Sequence, residues 1–501
     1  MKLDKFYKDT LILTVSNLAT GILRFVFSII LSNKLGAEGL GLYSLIMPLY
    51  DLFACATCGG IIVAVSRSSA ILAGNNDYPN IHRLIHATII FELFWSIFIS
   101  IPILLNSNYI ATYFIKDSRT IYSIEIICPA LIFIALSSVF KGYFYGISQA
   151  KIPAYIDIVE KAIRIAVVIG IVNIFFLKNM VQTISAVYAA LTFGELISLL
   201  MLYTAYIIYK GKYKNIFSTP NSRGQLLFDT LTVSIPLCIN GFLSSLLNAA
   251  STLIVPRRLV FAGLTYTASL SLIGKFTGMA FNITFFPMVV IMSMSTVLVP
   301  DISKSLNKKD YYSMENRIYA VLKLSFYIGI STAIICLCIP DNLGKLFYGR
   351  NDLGIYIIAS SVCAPITYAA ASTYSILSGL EMQTKILFNS FLVSIEEVVL
   401  LYVLTGIPSI NIYGYAIALF LTSVTSYFLN MHEINKICNI HFHLDDIFLD
   451  MIFAILLFLF LGILNNIIPN FLFVLKSISI ILIGFLFYLF LVIPIKKALF
   501  K

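Results

Sequence analysis

The chain alternates long apolar runs with short polar breaks along its whole length. A membrane-spanning helix needs about 20 apolar residues. Runs of about that length or longer are candidates for fourteen spans: 10–31, 40–65, 84–105, 121–140, 154–177, 184–209, 226–255, 266–299, 318–339, 353–377, 386–404, 412–431, 447–468 and 471–495. Because the runs do not alternate apolar and polar residues, the pattern predicts helices and not the strands of a membrane barrel.

Two runs, 226–255 and 266–299, are longer than one bilayer requires. A span with excess length tilts, kinks or protrudes. Helix-breaking residues are tolerated inside membrane helices, where they allow bends. We therefore expect bends in these two runs, at the internal Pro236, Gly241, Gly274, Gly278 and Pro287.

A weak repeat relates the two halves of the chain. Gly36 is followed by Ser44-Leu45-Ile46, and Gly263 is followed at the same offset by Ser271-Leu272-Ile273. Transporters are often built from such repeats, with the substrate site between them. The sequence therefore predicts an all-α integral membrane protein with about 14 transmembrane helices. Two pseudo-symmetric six-helix lobes (1–215 and 216–440) would be followed by two additional C-terminal helices (441–501).

Composition excludes a soluble, disordered or fibrous protein. Hydrophobic residues make up 59% of the chain and charged residues 12%, with a mean hydropathy of +0.93, whereas soluble domains carry roughly 25% charged residues. The net charge of +10 is explained by loop lysines and arginines, so no nucleic-acid partner is expected. Of these basic residues, 20 fall in predicted segments on the N-terminal side of the membrane and 8 on the opposite side. This bias predicts a multi-pass plasma-membrane protein with both termini cytoplasmic.

Cations inside apolar runs mark a candidate binding cavity, because charges there are costly and usually functional. Arg24 lies about 11 Å and Lys275 about 14 Å from the outer ends of their spans, at 1.5 Å per residue. Both side chains suit phosphate, arginine through its bidentate fork and lysine as a point charge. The alternative for each is that it pairs with an acid or snorkels to the membrane interface. Arg257 and Arg258, at an outer span end, are candidates for the same cavity or for interface anchoring.

The fifth run carries four charges on one helical face, Asp157, Glu160, Lys161 and Arg164. The spacing predicts acid-first pairs Asp157–Lys161 and Glu160–Arg164. The stripe is either a self-neutralised structural element or a gate or substrate contact on the inner side.

Acids near the middle of other spans are candidates for binding a coupling cation, Na⁺ or H⁺. They are Glu195, Glu396 and Glu397, and only one of the adjacent pair can face a given cavity because neighbours on a helix point about 100° apart. The membrane potential is the other candidate driving force. The sequence holds no Ser-His-Asp pattern, phosphate-binding glycine loop or zinc motif, so we expect no catalytic residues, cofactor or metal.

Several stretches resemble the polysaccharide-transport and stage V sporulation protein B family, within the multidrug/oligosaccharidyl-lipid/polysaccharide (MOP) flippase superfamily. The similarity covers nearly the whole chain. It rests on Leu23-Arg24-Phe25, LGAEGLGLY at 35–43, Pro48, Val65-Ser66-Arg67, KGYFYG at 141–146, Glu160-x-x-x-Arg164, IVPRRL at 254–259, Pro287 and VPDIS at 299–303.

The resemblance implies a flippase, not an enzyme. Its relatives move undecaprenyl-pyrophosphate-linked sugars, including lipid II, to the outer leaflet, and sporulation members serve the spore cortex. Cations of the first, second and eighth spans line the cavity in related lipid II flippases, which carries over to Arg24, Arg67 and Lys275, although Arg67 lies at the inner end of its span. The implied partners are a lipid-linked anionic oligosaccharide, membrane lipid and cell-wall synthesis proteins.

Four alternatives remain open. One is an exporter of another polysaccharide repeat unit, and another is a multidrug or cation antiporter, whose relatives use acids in the first span; this first span has none. A membrane glycosyltransferase would need acidic residues in a sizeable surface loop, and the predicted loops are short. A scaffold protein would tolerate Arg24→Ala.

Overall fold

The structure of the protein, a computed structural model, describes residues 5–174, 179–211, 221–307, 309–438, 440, 444–469 and 473–487. Within these ranges the fold is helical throughout, without strands. The first eight helices are α1 Lys5–Cys58, α2 Ile61–Gly74, α3 Tyr78–Leu105, α4 Ser107–Tyr109, α5 Ile121–Gly146, α6 Lys151–Ile174, α7 Met180–Gly211 and α8 Arg223–Phe261.

Eleven further helices follow. They are α9 Tyr266–Ile273, α10 Phe281–Phe285, α11 Met288–Asn307, α12 Tyr311–Cys338, α13 Pro340–Tyr348, α14 Gly354–Ser361, α15 Ala364–Gly379, α16 Gln383–Leu404, α17 Tyr413–Ile434, α18 Leu444–Ile467 and α19 Phe473–Phe487. Short π-helical segments span Ile110–Ile115 and Gly274–Ala280, and a 3₁₀ turn spans Ser118–Thr120.

Positive-φ glycines separate the first two spans of each half. Gly36 has φ 67° and ψ −174°, which kinks α1 between its first and second apolar runs. Gly263 has φ 102° in the turn between α8 and α9. Only glycine adopts such angles without steric cost. The two positions that opened the sequence repeat therefore have the same backbone requirement, while the two six-helix lobes stay a prediction.

The long eighth run is bent, as its proline and glycines predict. Tyr266–Phe285 and Met288–Ser295 meet at 60°, with Pro287 in the break. A second bend of 48° separates α14 from α15. The other long run lies in a single 39-residue helix, α8, which Pro236 does not end, and a bend within it stays a prediction.

Within the described ranges, nine helices are long and apolar enough to cross a membrane, or eleven if each bent pair is one span. A multi-pass membrane protein is therefore confirmed, and the count of fourteen stays a prediction. The difference has three sources. The first two predicted spans lie in one kinked helical run, Leu13–Gly74. The fifth is α6, which carries five charged residues, and the last is α19, of which 15 residues are described.

The chain divides into two compact units. Unit 1 comprises Met1–Phe27 and Leu42–Leu253, and unit 2 comprises Ser28–Gly41 and Ile254–Lys501. In unit 1 the aromatic rings of Tyr143 and Phe144 are fully buried in the core. Unit 2 has its own apolar clusters, one of them on α12, α15 and α17. The predicted boundary at 215/216 lies outside the described residues, and the three-part division is still a prediction.

Candidate functional site

Arg24, the leading sequence candidate, is exposed on α1 in the middle of an apolar stretch. Its charge interacts with that of Asp51 in the same unit and with the Tyr43 hydroxyl. Arg67, on α2, is also exposed. Both guanidinium groups are therefore accessible, as a ligand for an anion requires.

A buried ionic network in unit 1 joins α6 and α7. Arg164 Nη2 lies 2.6 Å from Glu160 Oε1 and donates a hydrogen bond of 3.2 Å to Glu195 Oε1. Lys161 Nζ donates to the other oxygen of Glu160 at 3.1 Å. The side chain of Glu160 is only 4% exposed, so its charge is compensated within the protein and not by water.

The predicted pair Glu160–Arg164 is confirmed, but the predicted pair Asp157–Lys161 is wrong. Asp157 accepts a hydrogen bond of 2.8 Å from Lys141 Nζ on α5, while Lys161 turns to Glu160. The spacing rule considers one helix alone, and here a lysine from a neighbouring helix supplies the counter-ion. The roles as gate or substrate contact remain predictions.

Lys275, in unit 2, lies in the π-helical segment Gly274–Ala280. π-Helical segments are rare in proteins, and those that occur are often found at functional sites. A Cβ added at Gly274 would collide with the carbonyl oxygen of Ala37, so glycine allows the backbone of 28–41 to approach here. This close contact fixes the backbone that carries Lys275.

The Lys275 ammonium forms an ion pair with Asp352, with Nζ 2.8 Å from Oδ2. Arg350 donates two hydrogen bonds to the same carboxylate, one from Nε at 2.8 Å and one from Nη2 at 2.7 Å. These bonds from Arg350, with the Lys275 ammonium, hold the pKa of Asp352 well below its usual range. Arg350 and Asp352 were not among the sequence candidates, because they lie in the loop between α13 and α14, where charges are common.

A polar cluster around Ser28 in unit 2 was also missed. Ser28 Oγ donates to the Gly278 carbonyl at 3.2 Å and lies 3.1 Å from the Tyr348 hydroxyl. Asn282 Nδ2 donates to Ser28 Oγ at 2.7 Å. The sequence pattern did not point to this cluster, because Ser28, Asn282 and Tyr348 are far apart along the chain.

Arg258 is engaged by aromatic residues in unit 2. Its Nε donates to the Tyr402 carbonyl at 2.7 Å, and the guanidinium lies 4.2 Å and 4.5 Å from the ring centroids of Tyr402 and Phe261. These contacts tie the end of α8 to the end of α16, while membrane-interface anchoring and a place in the cavity both stay predictions for Arg258. Arg257 is exposed, and its part in a cavity is still a prediction.

The candidate coupling acids have different surroundings. Glu195 is bound by Arg164, as described above. Glu396 accepts a hydrogen bond of 3.0 Å from Thr425, while the adjacent Glu397 interacts electrostatically with Tyr415. Their different partners follow from the angle between neighbouring side chains on a helix.

Similar solved structures share the fold. A lipid II flippase MurJ in an inward closed conformation gives a TM-score of 0.69 at 13% identity, over 98% of this chain and 100% of that one. An inward-facing multidrug resistance MATE family transporter of the MOP superfamily gives 0.66 at 17% identity, over 85% and 95%.

Curated relatives cover most of the chain as well. Stage V sporulation protein B of Bacillus subtilis (strain 168) is 26% identical over 439 residues, 87% of this chain and 85% of the relative. The lipid II flippase MurJ of the same organism is 22% identical over 371 residues, covering 70% and 67%. These likenesses support a membrane transporter or flippase.

The family described as polysaccharide biosynthesis protein matches residues 6–306, which is more than half of the chain. The resemblance inferred from the sequence motifs is thereby confirmed. The chain belongs to the polysaccharide biosynthesis protein family.

Proposed function

We propose that the protein is a flippase for an undecaprenyl-pyrophosphate-linked glycan, a lipid II-like peptidoglycan precursor. The observation that carries the proposal is the presence of Arg24 and Lys275 within apolar spans of a chain that belongs to this family. A pyrophosphate head cannot cross hydrocarbon unaided, because burying its charge without compensation costs many kcal/mol. Cations inside the membrane offset that cost.

Transport would proceed by alternating access. The head would enter from the inner leaflet, exchange water for the guanidinium and ammonium donors, and leave on the outer side, while the prenyl tail stays in lipid. The two C-terminal helices α18 and α19 would hold the tail. A potential negative inside favours outward movement of an anion by about 2.3 kcal/mol per charge per 100 mV.

The cellular role and orientation are part of the proposal. The similarity to a stage V sporulation protein B supports peptidoglycan of the spore cortex as the product served. Both termini would be cytoplasmic in the plasma membrane, and cell-wall synthesis proteins would be partners. Na⁺ or H⁺ binding at Glu396 or Glu397, or the potential alone, would drive the cycle.

Two other transport functions are the competing candidates. An exporter of another polysaccharide repeat unit would use the same anionic handle and the same cations. A multidrug antiporter is favoured only by the shared fold with the MATE transporter, and the absence of Asp and Glu from the run 10–31 argues against it.

The test measures how much labelled lipid II is accessible at the outer leaflet in cells depleted of other lipid II flippases. Expression of this chain is expected to restore outer-leaflet exposure. Failure to move lipid II, together with transport of a different prenyl-linked glycan, would replace lipid II with that substrate.

A further inference from the structure

One carboxylate oxygen of Asp352 is shared by two cations in unit 2. Oδ2 lies 2.8 Å from Lys275 Nζ and 2.7 Å from Arg350 Nη2. The other oxygen, Oδ1, accepts the hydrogen bond from Arg350 Nε. Three donor atoms therefore converge on one anionic group.

This donor set is the one that recognises phosphate. The guanidinium of Arg350 presents two parallel N–H groups, which match two oxygens of a carboxylate or a phosphate equally well. Lys275 adds a point charge that can pair with either a carboxylate or a phosphate. The three side chains together carry one net positive charge, so the cluster still attracts an anion while Asp352 occupies it.

The two sides of the cluster differ in exposure. The Lys275 side chain is 20% exposed within an apolar span, whereas the Asp352 side chain is 44% exposed in the loop between α13 and α14. Arg350 lies in the same loop and is 34% exposed. Replacing the carboxylate therefore requires movement of an accessible loop side chain, while the less exposed Lys275 stays where it is.

We infer that Arg350 and Lys275 form a phosphate-binding site in which Asp352 is an internal competitor, displaced when the phosphate group of a substrate binds. The inference deepens the proposed function and rests on it for the identity of the natural ligand, the pyrophosphate of a prenyl-linked glycan. It adds Arg350 to the binding residues and gives Asp352 a regulatory part.

The competitor serves two purposes. It keeps the partly buried Lys275 ammonium paired when no substrate is present, because a charge that loses its partner in a partly buried setting is destabilising. It also raises the concentration of free phosphate needed to occupy the site, because a ligand binds only the fraction of molecules in which the site is open. A substrate held at the membrane by its lipid tail overcomes that barrier through its high local concentration.

The test is binding of inorganic pyrophosphate to the purified full-length protein in phosphate-free buffer, measured by titration calorimetry. If Asp352 fills the site roughly nine-tenths of the time, D352N will bind pyrophosphate about tenfold more tightly than the wild type. D352S, which removes the carboxylate by truncation, should give the same gain, so the result does not depend on the folding of one variant. The double variants D352N/K275Q and D352N/R350Q should lose the gain.

Asp341 supplies the matched control, because it is an exposed carboxylate at the start of α13. D341N removes the same charge and should keep the wild-type affinity. The inference is overturned if D352N and D352S bind no tighter than the wild type, if D341N gives an equal gain, or if the gain persists in D352N/K275Q.

Transport of lipid II by the same variants separates the two proposals. If D352N binds pyrophosphate more tightly but the protein does not flip lipid II, the inference about the phosphate-binding site stands and the proposed function is contradicted. Flipping by the wild type without any gain in D352N contradicts the site alone.

Discussion

Arg164 donates a hydrogen bond of 3.2 Å to Glu195, a residue 31 positions further along the chain. The same guanidinium nitrogen lies 2.6 Å from Glu160 on its own helix. Arg164 is therefore the positive centre between two buried acids. Glu195, which the sequence presents as a candidate for a coupling cation, already has a cation that the chain itself supplies.

The first prediction concerns stability. Arg164→Gln leaves Glu160 and Glu195 without their shared counter-ion in a buried setting. Breaking a buried pair in this way costs about 3–5 kcal/mol. Thermal unfolding of the purified protein in detergent should therefore show a marked loss of stability, and the double variant E160Q/R164Q should recover part of it.

Asp157→Asn provides the matched comparison. It breaks the neighbouring Lys141–Asp157 pair, whose side chains are 20% and 28% exposed. Water can compensate these charges in part, so we expect a smaller loss than for Arg164→Gln. Equal losses of stability in the two variants would show that the burial of Glu160 does not determine the free-energy cost of breaking its ion pair.

The second prediction concerns coupling. A cation at Glu195 would have to displace Arg164, so Glu195→Gln should keep the wild-type response of transport to Na⁺ and pH gradients. Glu396 accepts a hydrogen bond from the neutral Thr425, and Glu396→Gln should remove the gradient response. Transport assays with imposed gradients measure both. Loss of the response in Glu195→Gln alone would assign coupling to the network instead.

The third prediction concerns the close approach at Gly274. A methyl group there would meet the Ala37 carbonyl, and overpacking of this kind costs about 1–3 kcal/mol. Gly274→Ala should therefore lower the melting temperature. Gly170→Ala in α6 is the control, because a Cβ at that position meets nothing within 4 Å. A similar loss in both variants would refute the packing argument.

The sequence was sufficient for the helices but not for their partners. Apolar runs located most of the helices, because this signal is local, and the bend at Pro287 followed from a residue type that breaks helices. The Lys141–Asp157 contact depends on how two helices pack against each other. The spacing of charges along one helix carries no information about that packing. Asp352 was missed for a related reason. An acid in a loop becomes a candidate site residue only once the fold is known to bring it to Lys275.

The fourth prediction concerns the membrane potential. Outward movement of a pyrophosphate anion is favoured by about 2.3 kcal/mol per charge per 100 mV. Collapsing the potential with a potassium ionophore should slow outer-leaflet appearance of lipid II in cells that depend on this protein. An unchanged rate would mean that net negative charge does not move outward in the transport step.

In the proposed function, cations within the membrane carry the anionic head of a lipid-linked glycan. Lipid II accessibility at the outer leaflet should fall at least about tenfold for Arg24→Ala and for Lys275→Ala, since each removes a charge-assisted contact worth roughly 1.5–3 kcal/mol. Arg24→Lys should retain part of the transport. Arg223→Ala, which removes an exposed cation at the start of α8, should transport as the wild type does. Wild-type transport by both Arg24→Ala and Lys275→Ala would contradict the account.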